Sequence, residues 1–143
     1  MQKKISVIIP VYNCERYIEA AVKTIFAQPY NNINVILIDD GSRDTSLKIC
    51  ENLAKQDKRI SVFHQENSGP AVARNFGIKI SIENNPDGYL TFLDADDVWE
   101  KNFFDEEIIN TVANRLVEIK SDGTIRDKEI SYDEYIDKFG LDE

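Results

Sequence analysis

Histidine occurs once in this sequence, at His64, and cysteine only at Cys14 and Cys50. A zinc site needs a cluster of such ligands and a disulfide framework needs several cysteines, so neither is expected. Cys14 and Cys50 fall within predicted helices and read as reduced core thiols. His64 falls within a predicted strand, where a packed or hydrogen-bonded role outweighs that of a catalytic base. No run approaches the roughly 18 to 20 apolar residues that span a bilayer, and the N-terminus has no long apolar signal region. The expectation is a cytoplasmic chain without a transmembrane segment. The six glycines form neither a Walker loop nor a Gly-x-Gly-x-x-Gly after a strand. Basic residues are outnumbered 17 to 26, for a net charge of −9. That balance argues against a nucleic-acid partner, because binding a phosphate backbone draws on clustered Lys and Arg. Any phosphate ligand must then be held locally.

Hydrophobic residues make up 42% of the 143, enough for one core, and one compact domain is the default. Ile5 to Tyr12 is a nearly unbroken β-branched run, as in a strand covered on both faces, with Pro10 weakening the pairing and leaving Val11 to Asn13 as a loop. From Glu15 onward, Ile18, Val22 and Ile25 recur at helical spacing until Gln28-Pro29. Ile33 to Asp39 is a second buried strand, ending in Asp40-Gly41-Ser42, with Asp44 or Thr45 able to cap a helix lined by Leu47, Cys50 and Ala54. Ile60 to Gln65 is a third strand, and Val72, Phe76 and Ile80 mark the inward stripe of a third helix. Tyr89 to Leu93 is a fourth strand that runs into Asp94-Ala95-Asp96-Asp97. After Trp99 the pattern weakens. Phe104, Ile108, Val112 and Leu116 suit one more helix, Ser121 to Thr124 has turn chemistry, and Ser131 with Glu134 makes the capping box of a last one.

Alternation of this kind predicts an α/β fold with a mostly parallel sheet, whose strands end on one shared edge where ligands bind. The unusual residues follow three different strands and should converge there. Asp94 and Asp96 stand two apart; if the strand continues, their carboxylates share a side and a divalent cation, Mg²⁺ or Mn²⁺, relieves their repulsion while binding substrate phosphate. The bland alternative is that Asp94, Asp96 and Asp97 cap a helix and face solvent. Asp39 and Asp40 pose the same choice between an ordinary turn and a carboxylate that bonds a base or ribose hydroxyl. Tyr12 can stack on a base or pack in the core, and Arg74 can reach a phosphate or neutralise nearby carboxylates.

Four motifs in order, Ser6 to Asn13, Asp39-Asp40-Gly41-Ser42 with Asp44, Asn67-Ser68-Gly69 with Ala73-Arg74-Asn75, and Leu93 to Asp97, together resemble the family 2 glycosyltransferases of the GT-A fold. The resemblance covers about residues 3–105. It implies a Rossmann-like β-α-β sandwich, here ending after the Asp-x-Asp motif, with residues 1–105 as the nucleotide-sugar-binding domain and 106–143 as a helical or irregular extension packed on it. It also implies inverting transfer from a nucleotide-diphosphate sugar, often a uridine one, to a saccharide, lipid-linked or protein acceptor, with peripheral association at the inner membrane face left open. By that likeness Tyr12 stacks on the base, Asp39 hydrogen-bonds it, Pro10 and Glu15 shape the pocket, and Arg74 neighbours the diphosphate. Asp94 and Asp96 would hold the Mn²⁺ or Mg²⁺, with Asp97 a further participant. Enzymes of this family continue past this length, and their later half supplies the acceptor site and an acidic general base. No such base is identifiable here, which sets beside the enzyme reading that of a nucleotide-sugar-binding fragment without transferase activity.

Overall fold

The computed structural model describes residues 3–99 together with the backbone of two later strands, residues 116–119 and 125–128. Four strands and three helices alternate: β1 (Ile5–Val11), α1 (Ile18–Phe26), β2 (Ile33–Asp40), α2 (Ser46–Gln56), β3 (Ile60–Gln65), α3 (Pro70–Asn84) and β4 (Tyr89–Phe92). The strands pair in parallel in the order β3-β2-β1-β4. This is the doubly covered α/β sheet that the β-branched runs predict.

Successive residues of a strand point to opposite faces, and both faces here are covered. Val7, Ile9, Val35 and Leu37 pack with Ile18, Val22, Ile25, Cys50 and Leu53 of α1 and α2. Ile8, Ile36 and Ile38 pack on the other face with Ala73, Ile78 and Ile80 of α3. The chain therefore leaves β1 and β2 toward one face and β3 toward the other, opening a crevice at the strands' carboxyl ends where the strand order reverses.

Several boundaries differ from expectation. β1 runs through Pro10 to Val11, whose partner is Asp39, because proline costs the ladder only its own N–H. Helix α1 begins at Ile18 rather than Glu15: the Cys14 carbonyl takes the Tyr17 and Ile18 N–H groups, so Cys14 lies in the loop before the helix, half-buried, and only Cys50 is a helical core thiol. Of the Val72-Phe76-Ile80 stripe expected to face inward on α3, Ile80 is buried and Phe76 packs against the same cluster, but Val72 does not. Val72 is exposed, and Ala73 and Gly77 meet the sheet, small residues that let the helix approach until a Cβ on Gly77 would collide with Ile8 Cγ2. In α2, Leu53 rather than Leu47 or Ala54 completes the buried stripe with Cys50. Beyond Trp99, strands β5 (Leu116–Ile119) and β6 (Ile125–Lys128) pair antiparallel, and the turn expected at Ser121 to Thr124 lies outside the described residues. Leu116, expected to end a helical stripe with Phe104, Ile108 and Val112, instead opens β5, while the rest of that stripe and the capped helix from Ser131 lie outside the described residues.

Candidate nucleotide-binding site

Three loops meet at the carboxyl edge of the sheet. A cavity of about 430 Å³ opens between them, lined by Pro10 and Val11 at the end of β1, Tyr12 and Cys14 after it, Asp40 at the end of β2, Asn67 and Gly69 before α3, Pro70 and Arg74 in its first turns, and Asp94, Ala95 and Asp96 after β4. A second cavity of about 440 Å³ shares Arg74 and Asp94 with the first and continues past Phe92, Leu93, Asp97, Val98 and Trp99. Of the residues singled out from sequence, Pro10, Tyr12, Arg74, Asp94 and Asp96 thus line one space, whereas Glu15 and Asp39 do not.

The acidic turn gathers its carboxylates by a different route than an extended strand. β4 ends at Phe92, and the Asp97 N–H donates to the Asp94 carbonyl at 2.9 Å, closing a turn anchored by the buried side chains of Leu93 and Ala95. Asp94, Asp96 and Asp97 are exposed, and each offers an oxygen within 4.8 Å of the others. Three anionic oxygens so grouped, open to solvent on one side, fit a hard divalent cation that completes its shell with water and phosphate. The guanidinium of Arg74 lies 3.6 Å from Asp94 Oδ1, and it is the cation that α3 brings to this cluster.

Asp39 and Asp40 are adjacent in sequence and so face opposite sides of the sheet, where each does a different job. Asp40 is 2% exposed, and its carboxylate accepts from Ser68 N (2.7 Å), Gln65 Nε2 (2.8 Å), Gly69 N (3.1 Å) and Asn67 Nδ2 (3.3 Å). It binds the loop before α3 to the end of β2 and so sets the floor of the cavity. Gly41 makes the approach possible: its φ is +70°, and a Cβ there would sit 2.7 Å from Asn67 N. Asp39 is fully buried; its Oδ2 lies 2.8 Å from His64 Nδ1 and accepts from Ser42 N at 3.4 Å, while its Oδ1 has no hydrogen-bond partner. His64 is the hydrogen-bonded strand residue expected of it.

Glu15 turns away from the cavity. Its Oε2 accepts from Thr45 N (3.0 Å) and Thr45 Oγ1 (2.6 Å), and these bonds hold its carboxyl below the usual glutamate range. Cys14 donates its Sγ hydrogen to the Tyr12 carbonyl at 3.1 Å; burial pushes this thiol up, and Asp96, Asp44 and Asp94 add to the rise, so it lines the cavity as a neutral group. Asp40, Asn67 and Gly69 were legible as motif residues, but their convergence needed the fold. Cys14 and Ala95 carried no signal of their own.

The model of the family described as Glycosyl transferase family 2 matches residues 6–120. The chain belongs to this family. It is 38% identical over 120 residues to Glycosyltransferase GlyA of Streptococcus pneumoniae serotype 4, covering 83% of this chain and 16% of that protein. It is 42% identical over 106 residues to Glycosyltransferase GlyG of the same organism, covering 73% of this chain and 34% of the relative. An uncharacterized glycosyltransferase of Haemophilus influenzae is 41% identical over 114 residues, 79% of this chain and 44% of its own length. The chain therefore spans less than half the length of these relatives. Among solved structures, S. aureus TarS 1-349 in complex with UDP-GlcNAc superposes with a TM-score of 0.66 at 28% identity, covering 82% of this chain and 34% of TarS 1-349. A mannosyltransferase of Pyrobaculum calidifontis, solved with GDP-Man and Mn²⁺, shares the fold at a TM-score of 0.61 and 20% identity, covering 84% and 36%. The family 2 chain thus has the GT-A fold of an enzyme family of glycosyltransferases, and its structural neighbours bind nucleotide sugars.

Proposed function

We propose that this family 2 chain binds a nucleotide-diphosphate sugar, a uridine one in the first instance, and serves inverting transfer of its sugar to a saccharide, lipid-linked or protein acceptor. The observation that carries the reading is the convergence of Asp94, Asp96 and Arg74 on one cavity that Pro10 and Tyr12 also line, with Asp97 completing the acidic cluster from the adjoining cavity. An acidic protein has few ways to hold a diphosphate, and an anionic cluster beside one guanidinium is such a way when a divalent cation joins them. The choice of uridine rests on TarS, solved with UDP and with UDP-GlcNAc at 27% and 28% identity.

Asp94 and Asp96, with Asp97 at hand, would hold the Mn²⁺ or Mg²⁺. When bound, the ion would supply Lewis-acid stabilisation of the charge on the departing nucleoside diphosphate. The chain's own residues do the rest: Tyr12, 43% exposed at the rim, offers a ring face to the base, and Arg74 neutralises phosphate oxygens by charge-assisted hydrogen bonds. Asp39 Oδ1 is buried without a partner, and a nucleobase N–H would give it one once the covering side chains shift. A cytoplasmic setting belongs to the same reading. No described helix is long and apolar enough to cross a membrane.

A second reading, binding without transfer, is favoured by one observation. The carboxylates lining the two cavities among the described residues are Asp40, Asp94, Asp96 and Asp97; the first is committed to four hydrogen bonds and the others form the cluster, which leaves none free as general base. Calorimetric titration with UDP and GDP, with and without Mn²⁺, tests the donor site. Metal-dependent binding is expected, and no binding of either nucleotide refutes it. Release of sugar from labelled UDP-GlcNAc, alone or with acceptor saccharides, separates the transferase from the binding fragment.

A further inference from the structure

We propose that Asn13 and Glu15 are positioning residues that fuse the loops after β1 and β2 into one rigid rim, fixing Tyr12 and Asp39 relative to each other for the nucleobase. The proposal rests on the donor-site reading above. Six hydrogen bonds join the loop after β1 to the loop after β2 and the first residue of α2, three donated from each side. Asn13 N donates to Ser42 Oγ (3.0 Å), Cys14 N to Ser46 Oγ (2.8 Å) and Glu15 N to Asp44 Oδ2 (3.3 Å). In return Arg43 N donates to Asn13 Oδ1 (2.8 Å), and Thr45 donates both N–H and O–H to Glu15 Oε2 (3.0 and 2.6 Å).

The reciprocity distinguishes this arrangement from two loops that merely touch. Neither loop can move without breaking bonds that satisfy the other's backbone. Asn13 pays a conformational penalty to take part, since its φ of +50° is the left-handed region that side chains other than glycine seldom adopt and that asparagine tolerates best. Its backbone and its side chain engage the consecutive residues Ser42 and Arg43 of the partner loop. The rim is also tied to both proposed base contacts: Ser42 N reaches Asp39 Oδ2 at 3.4 Å, and Asn13 follows Tyr12 directly, with Cys14 Sγ hydrogen-bonded to the Tyr12 carbonyl at 3.1 Å. Glu15 acts from outside the cavity, as the clamp on the start of α2.

Substitutions at Asn13 separate positioning from general support of the fold. Asn13→Ala loses both the acceptor and the tolerated φ, Asn13→Gly keeps the backbone freedom alone, and Asn13→Asp keeps both. With Mn²⁺ present, Asn13→Ala should weaken UDP by about tenfold or more, since small misplacement of a binding group is amplified in this way. Inorganic pyrophosphate, which lacks the base, should bind the same variant as it binds the parent chain. Asn13→Gly should be intermediate, and Asn13→Asp should restore UDP affinity. Equal losses for UDP and pyrophosphate, or no loss for UDP, overturn the proposal. If the parent chain binds no nucleotide, the donor-site reading fails by itself and amide hydrogen exchange still decides the rim. Asn13→Ala must then speed exchange at Arg43 and Thr45 together with Cys14 and Glu15, and unchanged exchange in the β2–α2 loop refutes the coupling.

Discussion

Replacing Asp40 by asparagine keeps the shape of the side chain and removes its charge together with half of its accepting capacity. The buried carboxylate receives two donors on each oxygen, Ser68 N and Gln65 Nε2 on Oδ1, Gly69 N and Asn67 Nδ2 on Oδ2. Whichever way the amide is turned, its NH₂ group faces two donors in a site that is 2% exposed. A bond to a charged group contributes about 1.5–3 kcal/mol and an unsatisfied buried donor costs about 1–3 kcal/mol, so a loss of about 3 kcal/mol is expected. For a chain of this size that lowers the melting temperature by about 10 °C. Thermal and urea unfolding of Asp40→Asn beside the exposed control Asp87→Asn would measure it, with the control staying within about 0.5 kcal/mol of the parent. Amide exchange at Ser68 and Gly69 should rise with the loss. An Asp40→Asn protein as stable as the control would show that the loop before α3 is held by something else, and the account of the cavity floor would fail with it.

Gly77→Ala should destabilise the protein by about 1–2 kcal/mol, because overpacking against Ile8 outweighs the gain in helix propensity; pairing it with Ile8→Ala, which removes the obstructing atoms, should cost less than the sum of the two single changes. Burial pushes the Cys50 thiol up to about 12. Its folded value exceeds that of the unfolded chain, so the stability it contributes is full below about pH 8.5 and is lost as pH rises through the folded value. Alkaline unfolding curves should therefore show a smaller loss between pH 9 and about 12 for Cys50→Ala than for the parent, and a thiol reagent at pH 8 should leave Cys50 unmodified in the folded protein.

Strand and helix order was legible because both sheet faces are covered: β1 and β2 are continuous β-branched runs, which few other environments accept. Pro10 and Val72 show where local pattern misleads. A proline subtracts one N–H from a ladder without ending the strand, and the face that α3 buries was chosen by Gly77 and Ala73 fitting under Ile8, a contact between residues nearly seventy positions apart. In the site, the convergence of Tyr12, Asp94 and Asp96 followed from parallel topology alone, since loops after parallel strands share an edge, whereas Arg74 reaches them from α3. The division of labour between Asp39 and Asp40, and the outward turn of Glu15 toward Thr45, depended on which face each side chain leaves from and on partners about thirty residues away. No spacing rule in the sequence encodes those pairings.

The central claim is that a cation held by the acidic turn joins this chain to a nucleoside diphosphate, and the magnetic resonance signal of free Mn²⁺ reads it directly. Adding UDP and the parent chain to a fixed amount of Mn²⁺ should deplete the free-ion signal saturably and beyond what UDP alone removes. The exposed double variant Asp94→Asn, Asp96→Asn should fold normally and leave the signal where UDP alone leaves it. A parent chain that removes no additional Mn²⁺, or a double variant that removes as much as the parent, would contradict the account.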